Sequence, residues 1–242
     1  MDNMRVPLDV QSTEYWDSRA EKYDEDFTAC ELRIQALREL AQFVVPQPNQ
    51  NLLDIGSGTG RSLIPFLPAT STKEPWFVVG VDLSLKMLQH AQQAAPHAAL
   101  VQAYAAHLPF RSQAFDWIVS SMCFHHLPSA DKELLVGELS RITRPSGQVV
   151  FADEMIMIDS CDLTEADILK LMLKDFYPHL SIEEGRKRFG KLQEWPISSA
   201  EWLNLLQRHQ FQAYARRVSD MIGIIVAQPM ITAEVSLKTL RK

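Results

Sequence analysis

The sequence feature that most limits the possible folds is a glycine-rich segment that directly follows a short apolar run. Residues 52–60 read LLDIGSGTG, so Gly56, Gly58 and Gly60 alternate after a run that contains Asp54. Glycine at this density indicates that the backbone turns sharply or comes close to another group. The segment therefore predicts either a ligand-binding turn between a strand and a helix or a plain tight turn.

Apolar runs and helical patterns alternate along most of the chain. The predicted strands are 52–55, 76–81, 100–103, 115–121, 148–155, 211–218 and 221–227, and the predicted helices are 14–27, 31–44, 61–67, 85–95, 130–143, 163–176 and 199–209. Alternation at this rhythm indicates βαβ units and a parallel sheet, with strands buried on both faces. The last two strands are close enough in sequence to form an antiparallel pair at the sheet edge.

We expect a single domain over residues 1–242. Its predicted parts are a helical arm (14–45), a core (50–156), a helical lid or substrate insertion (157–197), a C-terminal helix with edge strands (198–227) and a tail (228–242). The insertion is too long for a simple strand–helix connection, and long insertions at such places are commonly lids. Its aromatic residues predict an apolar pocket, and its basic run either meets an anionic acceptor or is a solvated surface. These residues are Phe176, Tyr177, His179, Phe189 and Trp195, and the basic run Arg186–Lys187–Arg188.

Composition excludes several classes of protein. The net charge of −6 argues against broad binding to a nucleic-acid backbone, which needs clustered Lys and Arg. The 3 cysteines are widely spaced without a CxxC pair, so a disulfide framework or a structural zinc site is not expected. The N-terminus lacks an apolar signal region, and the run MIGIIVA at 221–227 is too short for a membrane span. We therefore expect a soluble, cytoplasmic protein without a metal site.

The spacing of the glycines separates three kinds of nucleotide site. A phosphate-binding P-loop is excluded because Arg61 follows Gly60 where that motif needs lysine. A dinucleotide site needs GxGxxG, whereas this segment has GxGxG, and Asp54 would repel a pyrophosphate. The carboxylate instead suits a cationic group such as an ammonium or a sulfonium. Asp82, which ends the second strand, is placed to accept the hydroxyls of a ribose, or else only begins the next helix.

Several segments together resemble the class I S-adenosylmethionine-dependent methyltransferases, most closely the group that methylates quinones and other small molecules. They are, in order, LLDIGSGTG, GVDLS (80–84), AHLPF (106–110), FDWIVSSMCFHHLP (115–128) and ELSRITRPSGQVVFAD (138–153). The resemblance covers residues 14–155. It implies a doubly wound, mostly parallel seven-stranded α/β sheet of the Rossmann-like methyltransferase fold. An antiparallel edge strand, an N-terminal helical arm and a helical insertion after strand five would complete it.

The same resemblance implies S-adenosylmethionine as the cofactor and assigns its contacts. Asp54, Gly56, Gly58 and Gly60 would hold the methionine end, Asp82 the ribose, Leu83 the adenine face, Ala105 the adenine edge and Ser120 the region near the sulfonium. Tyr15 and Tyr23 of the arm would either close over the methionine carboxylate or simply contribute to packing.

Tyr104 stands where the family usually carries an acidic residue that accepts a hydrogen bond from the adenine amino group. A phenol can still accept a hydrogen bond or stack on a base. Losing a charge-assisted bond costs about 1–3 kcal/mol. Weaker cofactor binding, a modified cofactor and a changed purpose of the fold therefore all remain open.

The candidate catalytic residues follow strands four and five, at the edge where a parallel sheet places its active site. They are His125, His126, Asp153 and Glu154. Each could also serve packing or capping, because methyl transfer needs a general base only if the acceptor must lose a proton.

The sequence therefore predicts an enzyme that moves a methyl group from the sulfonium to O, N or C of a small molecule, mainly by proximity and orientation. The alternatives are a tRNA or protein methyltransferase and a non-catalytic protein that binds the cofactor or a partner, with Tyr104 as its main support. A nicotinamide oxidoreductase is disfavoured by GxGxG and by Asp54. We expect a small-molecule acceptor, no nucleic acid, no membrane span, and a monomer or homodimer.

Overall fold

A computed structural model describes residues 12–68, 75–158, 163–189 and 196–230. The strands are β1 (Asn51–Ile55), β2 (Phe77–Asp82), β3 (Ala99–Gln102), β4 (Phe115–Ser121), β5 (Thr143–Glu154), β6 (Phe211–Arg217) and β7 (Ile222–Pro229). The helices are α1 (Thr13–Arg19), α2 (Tyr23–Thr28), α3 (Glu31–Phe43), α4 (Leu85–Ala94), α5 (Ser129–Ile142), α6 (Glu165–Phe176), α7 (Ile182–Phe189) and α8 (Ser199–Arg208). Among these described helices, none has the length and apolar character that a bilayer crossing requires.

All seven strands form one sheet in the order β3-β2-β1-β4-β5-β7-β6. The first five are parallel, and β7 runs antiparallel to both of its neighbours, β5 and β6. The predicted doubly wound, mostly parallel sheet is therefore confirmed. The antiparallel strand lies one place in from the edge, because β7 inserts between β5 and β6.

Apolar layers cover both faces of the sheet. Leu52 of β1 packs in the layer that contains Leu40 of α3, while Leu53 packs in the layer that contains Leu135 of α5 and Trp202 of α8. Successive residues of a strand point to opposite faces, so a strand between two layers must be apolar at every position. This is the physical reason for the continuous apolar runs in the sequence.

The structure differs from the predicted elements at four places. The helix predicted at 14–27 is divided into α1, a 3₁₀ turn over Ala20–Lys22 and α2. The helix predicted at 61–67 is only a 3₁₀ turn over Ile64–Phe66, with Pro65 unable to donate a helical hydrogen bond. Strand β5 begins at Thr143, five residues before the predicted start, because it pairs with Phe115 ahead of the bulge in the β4–β5 ladder. The predicted insertion contains a helix that is not among the predicted ones, α7, where Ser181 and Glu184 form reciprocal capping hydrogen bonds.

Gly60 and Gly58 both have positive φ angles, +88° and +52°, but their surroundings differ. A Cβ atom on Gly60 would lie 2.9 Å from the Cα atom of Ala91 in α4. A Cβ atom on Gly58 would meet nothing nearer than a ring carbon of Tyr23 at 3.7 Å. Gly60 is thus required both by its backbone angle and by the close approach of the turn to α4, whereas Gly58 is required by its angle alone.

We expect Gly60→Ala to lower the free energy of unfolding by about 2–4 kcal/mol, because left-handed strain adds to a clash with helix backbone. The matched variant Gly58→Ala should lose only about 1–2 kcal/mol, from strain alone. Urea denaturation of the two variants and the parent measures both values. Equal losses would show that the contact between the turn and α4 does not limit position 60.

Candidate active-site cleft

A cleft of about 650 Å³ opens where β1, β2 and β4 end. Its lining includes residues from the N-terminal arm, the glycine turn, the end of β2, the loop after β3 and the loop after β4. The predicted cofactor residues among them are Tyr23, Gly56, Gly58, Asp82, Leu83, Tyr104 and Ala105, and the predicted catalytic residue among them is His126. The topology therefore brings together side chains that are up to about a hundred positions apart in sequence.

The glycine turn is fastened to the end of β2 by backbone hydrogen bonds. The N–H groups of Gly56 and Ser57 donate to the carbonyl oxygen of Val81 at 2.8 and 2.9 Å. The N–H of Gly58 donates to Oδ2 of Asp82 at 2.8 Å, and that of Ser84 donates to Oδ1 at 2.9 Å. Desolvation raises the pKa of Asp82 to about 6, although these bonds favour its charged form.

An apolar slot lies beside Asp82 in the same cleft. Its side chains are those of Leu83, Met87, Ala103, Ala105 and Leu127. Walls of this kind suit a flat heterocycle, which gains most from removing its faces from water.

Three predicted cofactor residues lie outside the lining of this cleft. Asp54 is fully buried, and its Oδ2 accepts from Ser62 Oγ at 2.6 Å, while its Oδ1 has no partner among the described residues. Burial raises the pKa of Asp54 to about 7. The hydroxyl of Ser120 donates to the carbonyl of Ile55 at 2.7 Å, and Gly60 faces α4. These residues support the turn from behind.

The other predicted catalytic residues form a buried ionic cluster behind the cleft wall. His125 Nδ1 lies 2.5 Å from Asp153 Oδ1, and the backbone N–H of His125 donates to Asp153 Oδ2 at 2.9 Å. Arg33 Nη2 of α3 donates to Glu154 Oε1 at 2.8 Å, and the other carboxylate oxygen lies 4.0 Å from His125 Nε2. Burial lowers the pKa of His125, but Glu154 and Asp153 outweigh it and raise the pKa above its usual value.

His126 faces the cleft and has the opposite electrostatic character. Its ring lies 3.8 Å from the ring of His125 and 4.7 Å from that of Trp16, measured between centroids. Burial, followed by the positive charge of His125, holds the pKa of His126 well below its usual value. His125 is therefore the histidine of the pair that takes up a proton more readily, and His126 is neutral near pH 7.

The sequence did not single out several residues of the cleft. Trp16 lines it, whereas the predicted Tyr15 lies outside the lining and packs edge-on against Trp16 at 5.0 Å. Cys123 fills the space that a Cβ atom on Gly56 would need, 2.2 Å from its sulfur. Burial raises the pKa of the Cys123 thiol. The sequence alone does not indicate which of the adjacent aromatic residues of the arm lines the cleft. It also does not indicate that Gly56 and Cys123, which are 67 positions apart, lie against each other.

Of the predicted pocket residues of the insertion, the three whose side chains are described, Phe176, Tyr177 and His179, do not line this cleft. Phe176 is buried under the guanidinium of Arg33, with 5.3 Å between the guanidinium carbon and the ring centroid, and Tyr177 packs edge-on near His179. Arg186 and Lys187 are exposed. Trp195 lies outside the described residues, as do the side chains of Arg188 and Phe189. No group of three or more His, Cys, Asp or Glu within the described ranges is arranged to hold a metal ion.

Comparisons with known proteins agree with this geometry. A family described as a methyltransferase domain matches residues 53–151. A demethylmenaquinone methyltransferase of Streptomyces avermitilis is 33% identical over 154 residues, which is 62% of this chain and 64% of that relative, slightly under two thirds of its length. An uncharacterized methyltransferase of Oceanobacillus iheyensis is 24% identical over 86% of this chain and 92% of the relative.

The fold recurs in solved structures at low sequence identity. The DhpI–SAH complex matches with a TM-score of 0.62 at 16% identity, over 92% of this chain and 97% of that chain. At this identity the structural similarity is evidence for the fold only, whereas the matched domain and the sequence relatives are evidence about the family. Residues 53–151 match a methyltransferase domain, and the chain resembles the class I S-adenosylmethionine-dependent methyltransferases in sequence and in fold.

Proposed function

We propose that this chain is an enzyme that transfers a methyl group from S-adenosylmethionine to a carbon, oxygen or nitrogen atom of a small apolar acceptor. One observation carries the proposal. A single cleft joins a carboxylate, glycine backbone and an apolar slot at one end to a neutral histidine and a tryptophan at the other.

The residues of the cleft fit S-adenosylmethionine. Asp82 would accept the ribose hydroxyls, and the slot between Leu83 and Met87 would receive the base. The missing side chains of Gly56 and Gly58 let the methionine part approach the backbone. The unpartnered Oδ1 of buried Asp54 favours a positive charge nearby, which the cofactor carries as an ammonium and a sulfonium.

The cofactor supplies a methyl group on a sulfonium, whose thioether is a good leaving group. The protein has to orient the acceptor, exclude water and take up any proton that the acceptor loses. Neutral His126 can hold that proton at a ring nitrogen, and the neighbouring cation His125 keeps it neutral beforehand. The Asp153 and Glu154 carboxylates hold His125 charged and oriented. Trp16, whose ring packs against that of His126, shields this end of the cleft from solvent.

The apolar character of the cleft supports a flat, apolar acceptor, and a quinol fits best. The demethylmenaquinone methyltransferase of Streptomyces avermitilis is a relative at 33% identity. A quinol ring carbon gains nucleophilic character as a hydroxyl proton is withdrawn, which gives a base such as His126 a role. After transfer, the sulfur is a neutral thioether, and the methylated ring carbon still carries its hydrogen while the ring oxygen is a carbonyl. Loss of that hydrogen as a proton and protonation of the oxygen restore the aromatic quinol, so that one proton in all passes through the histidine to water.

Calorimetric titration should show binding of S-adenosylhomocysteine and no binding of NAD, because Asp54 and GxGxG disfavour a pyrophosphate. Asp82→Asn should weaken binding by about 10–100-fold, the loss of one charge-assisted pair. Affinity should fall as the pH drops through about 6, because the ribose hydroxyls need the carboxylate form of Asp82, whose pKa is about 6.

The pH dependence has a matched control in Asp54, whose pKa is about 7. The Asp54→Asn variant should still lose affinity below pH 6, whereas the affinity of Asp82→Asn should not change with pH in this range. If Asp54→Asn abolished the pH dependence, the titrating group would be misassigned. If S-adenosylhomocysteine failed to bind to the parent chain, the proposed function would be wrong.

With radiolabelled S-adenosylmethionine and a short-chain demethylmenaquinol, we expect label in the quinol. His126→Gln should lower kcat by about 100-fold or more and leave the Kd for S-adenosylhomocysteine unchanged. The parent rate should stay level from pH 8 to about 6.5, because His126 is neutral throughout that range. His125→Gln should move the acidic fall of the rate to higher pH, since removing a cation raises the pKa of His126.

Thermal melting of both histidine variants controls for unfolding. Equal rates for His126→Gln and the parent would exclude the histidine as the base. Cofactor binding without transfer to any quinol or other small acceptor would favour the non-catalytic alternative.

A further inference from the structure

Tyr104 and Asp131 form a hydrogen bond at the end of the cleft that holds the apolar slot. Tyr104 lies in the loop after β3 and lines the cleft, and Asp131 lies in the first turn of α5. The Tyr104 hydroxyl donates to Oδ2 of Asp131. Asp131 itself is not part of the cleft lining, so the phenol proton is directed away from the slot.

The direction of this hydrogen bond fixes what Tyr104 can offer a ligand. A phenol has one proton, and once that proton is shared with a carboxylate, the oxygen can only accept further hydrogen bonds. The negative charge of the carboxylate also polarises the hydroxyl, so its oxygen becomes a better acceptor. The apolar side chains around it, those of Leu83, Met87 and Ala105, cannot distinguish a donor from an acceptor on a ligand.

We propose that Asp131, acting through Tyr104, makes this end of the cleft select a base that carries an exocyclic amino group over one that carries a carbonyl in the same place. The inference rests on the proposed function, in which the base of S-adenosylmethionine occupies the slot. Tyr104 is the residue that contacts the base, and Asp131 is a positioning residue. The carboxylate thus reaches the cleft through a second side chain.

The test compares S-adenosylhomocysteine with S-inosylhomocysteine, in which a carbonyl replaces the amino group. Calorimetry gives both Kd values for the parent chain, Tyr104→Phe, Asp131→Ala, Asp131→Asn and the double variant Tyr104→Phe/Asp131→Ala. Glu133→Gln is the matched control, because Glu133 is on the same helix but pairs with Arg208 and His209 instead.

The parent should prefer the amino nucleoside by about tenfold or more, the worth of one such hydrogen bond. Tyr104→Phe should lower this ratio about tenfold. Asp131→Ala should lower it similarly, because the released phenol proton can then be donated to a carbonyl. Asp131→Asn should lower it less, since the amide oxygen still accepts the proton without a full charge. The double variant should match Tyr104→Phe, and Glu133→Gln should keep the parent ratio.

If the hydrogen bond only tied the loop to α5, its loss would weaken the binding of both nucleosides by the same factor. An unchanged ratio of the two Kd values in Tyr104→Phe would therefore overturn the inference. A further fall of the ratio in the double variant would show that Asp131 acts independently of Tyr104, which would also overturn it. If neither nucleoside bound to the parent chain, both the proposed function and this inference would be wrong. Unchanged ratios with intact binding of S-adenosylhomocysteine would overturn this inference alone.

Discussion

The rest of the site depends on the attachment of the glycine turn to the end of β2. Three successive backbone N–H groups donate hydrogen bonds there. Those of Gly56 and Ser57 donate to the carbonyl oxygen of Val81, and that of Gly58 donates to the carboxylate of Asp82. These bonds set the distance between the floor of the cleft and the carboxylate. They also use three of the N–H groups that a phosphate would need, which agrees with a site for a nucleoside that has no phosphate. The same turn can close only because its positive φ angles are carried by glycine.

The buried carboxylates of this site fall into two groups, one with a lowered pKa and one with raised pKa values. Glu154 keeps a pKa below its usual value, because His125 and Arg33 together outweigh the desolvation that acts on it. Asp54 and Asp82 have no such cation among the described residues, and desolvation raises their pKa values to about 7 and 6. A carboxyl group whose pKa is raised in the folded state stabilises the fold at low pH. This contribution is fully present below about pH 4, and it is lost as the pH rises through about 6 for Asp82 and about 7 for Asp54. At neutral pH this part of the protein therefore holds desolvated negative charge, which a cationic ligand would stabilise.

The sequence predicted the sheet and the meeting of the glycine turn with the end of β2 because both depend on local patterns. Apolar runs identify strands that lie between two layers, and the glycine turn with Asp82 follows directly from strand ends. The partner of Tyr104 could not be predicted, because Asp131 is 27 positions away and only the packing of α5 against the loop brings it there. The same applies to Trp16 and His126, which meet through the folding of the arm over the sheet. Helix α7 is a different case, since its capping residues Ser181 and Glu184 were legible in the sequence.

Gly56 and Cys123 occupy one shared volume, since the sulfur lies where a side chain at position 56 would begin. Neither position is therefore free to vary alone. A smaller residue at 123 would leave a void beneath the turn, and a larger one would press on the turn and widen the cleft. Because the φ angle of Gly56 is +73°, the glycine is also fixed by its conformation, so the adjustment falls on position 123. The thiol acts as a spacer between the glycine turn and the loop after β4, and changes at 123 should be epistatic with those around the glycine turn.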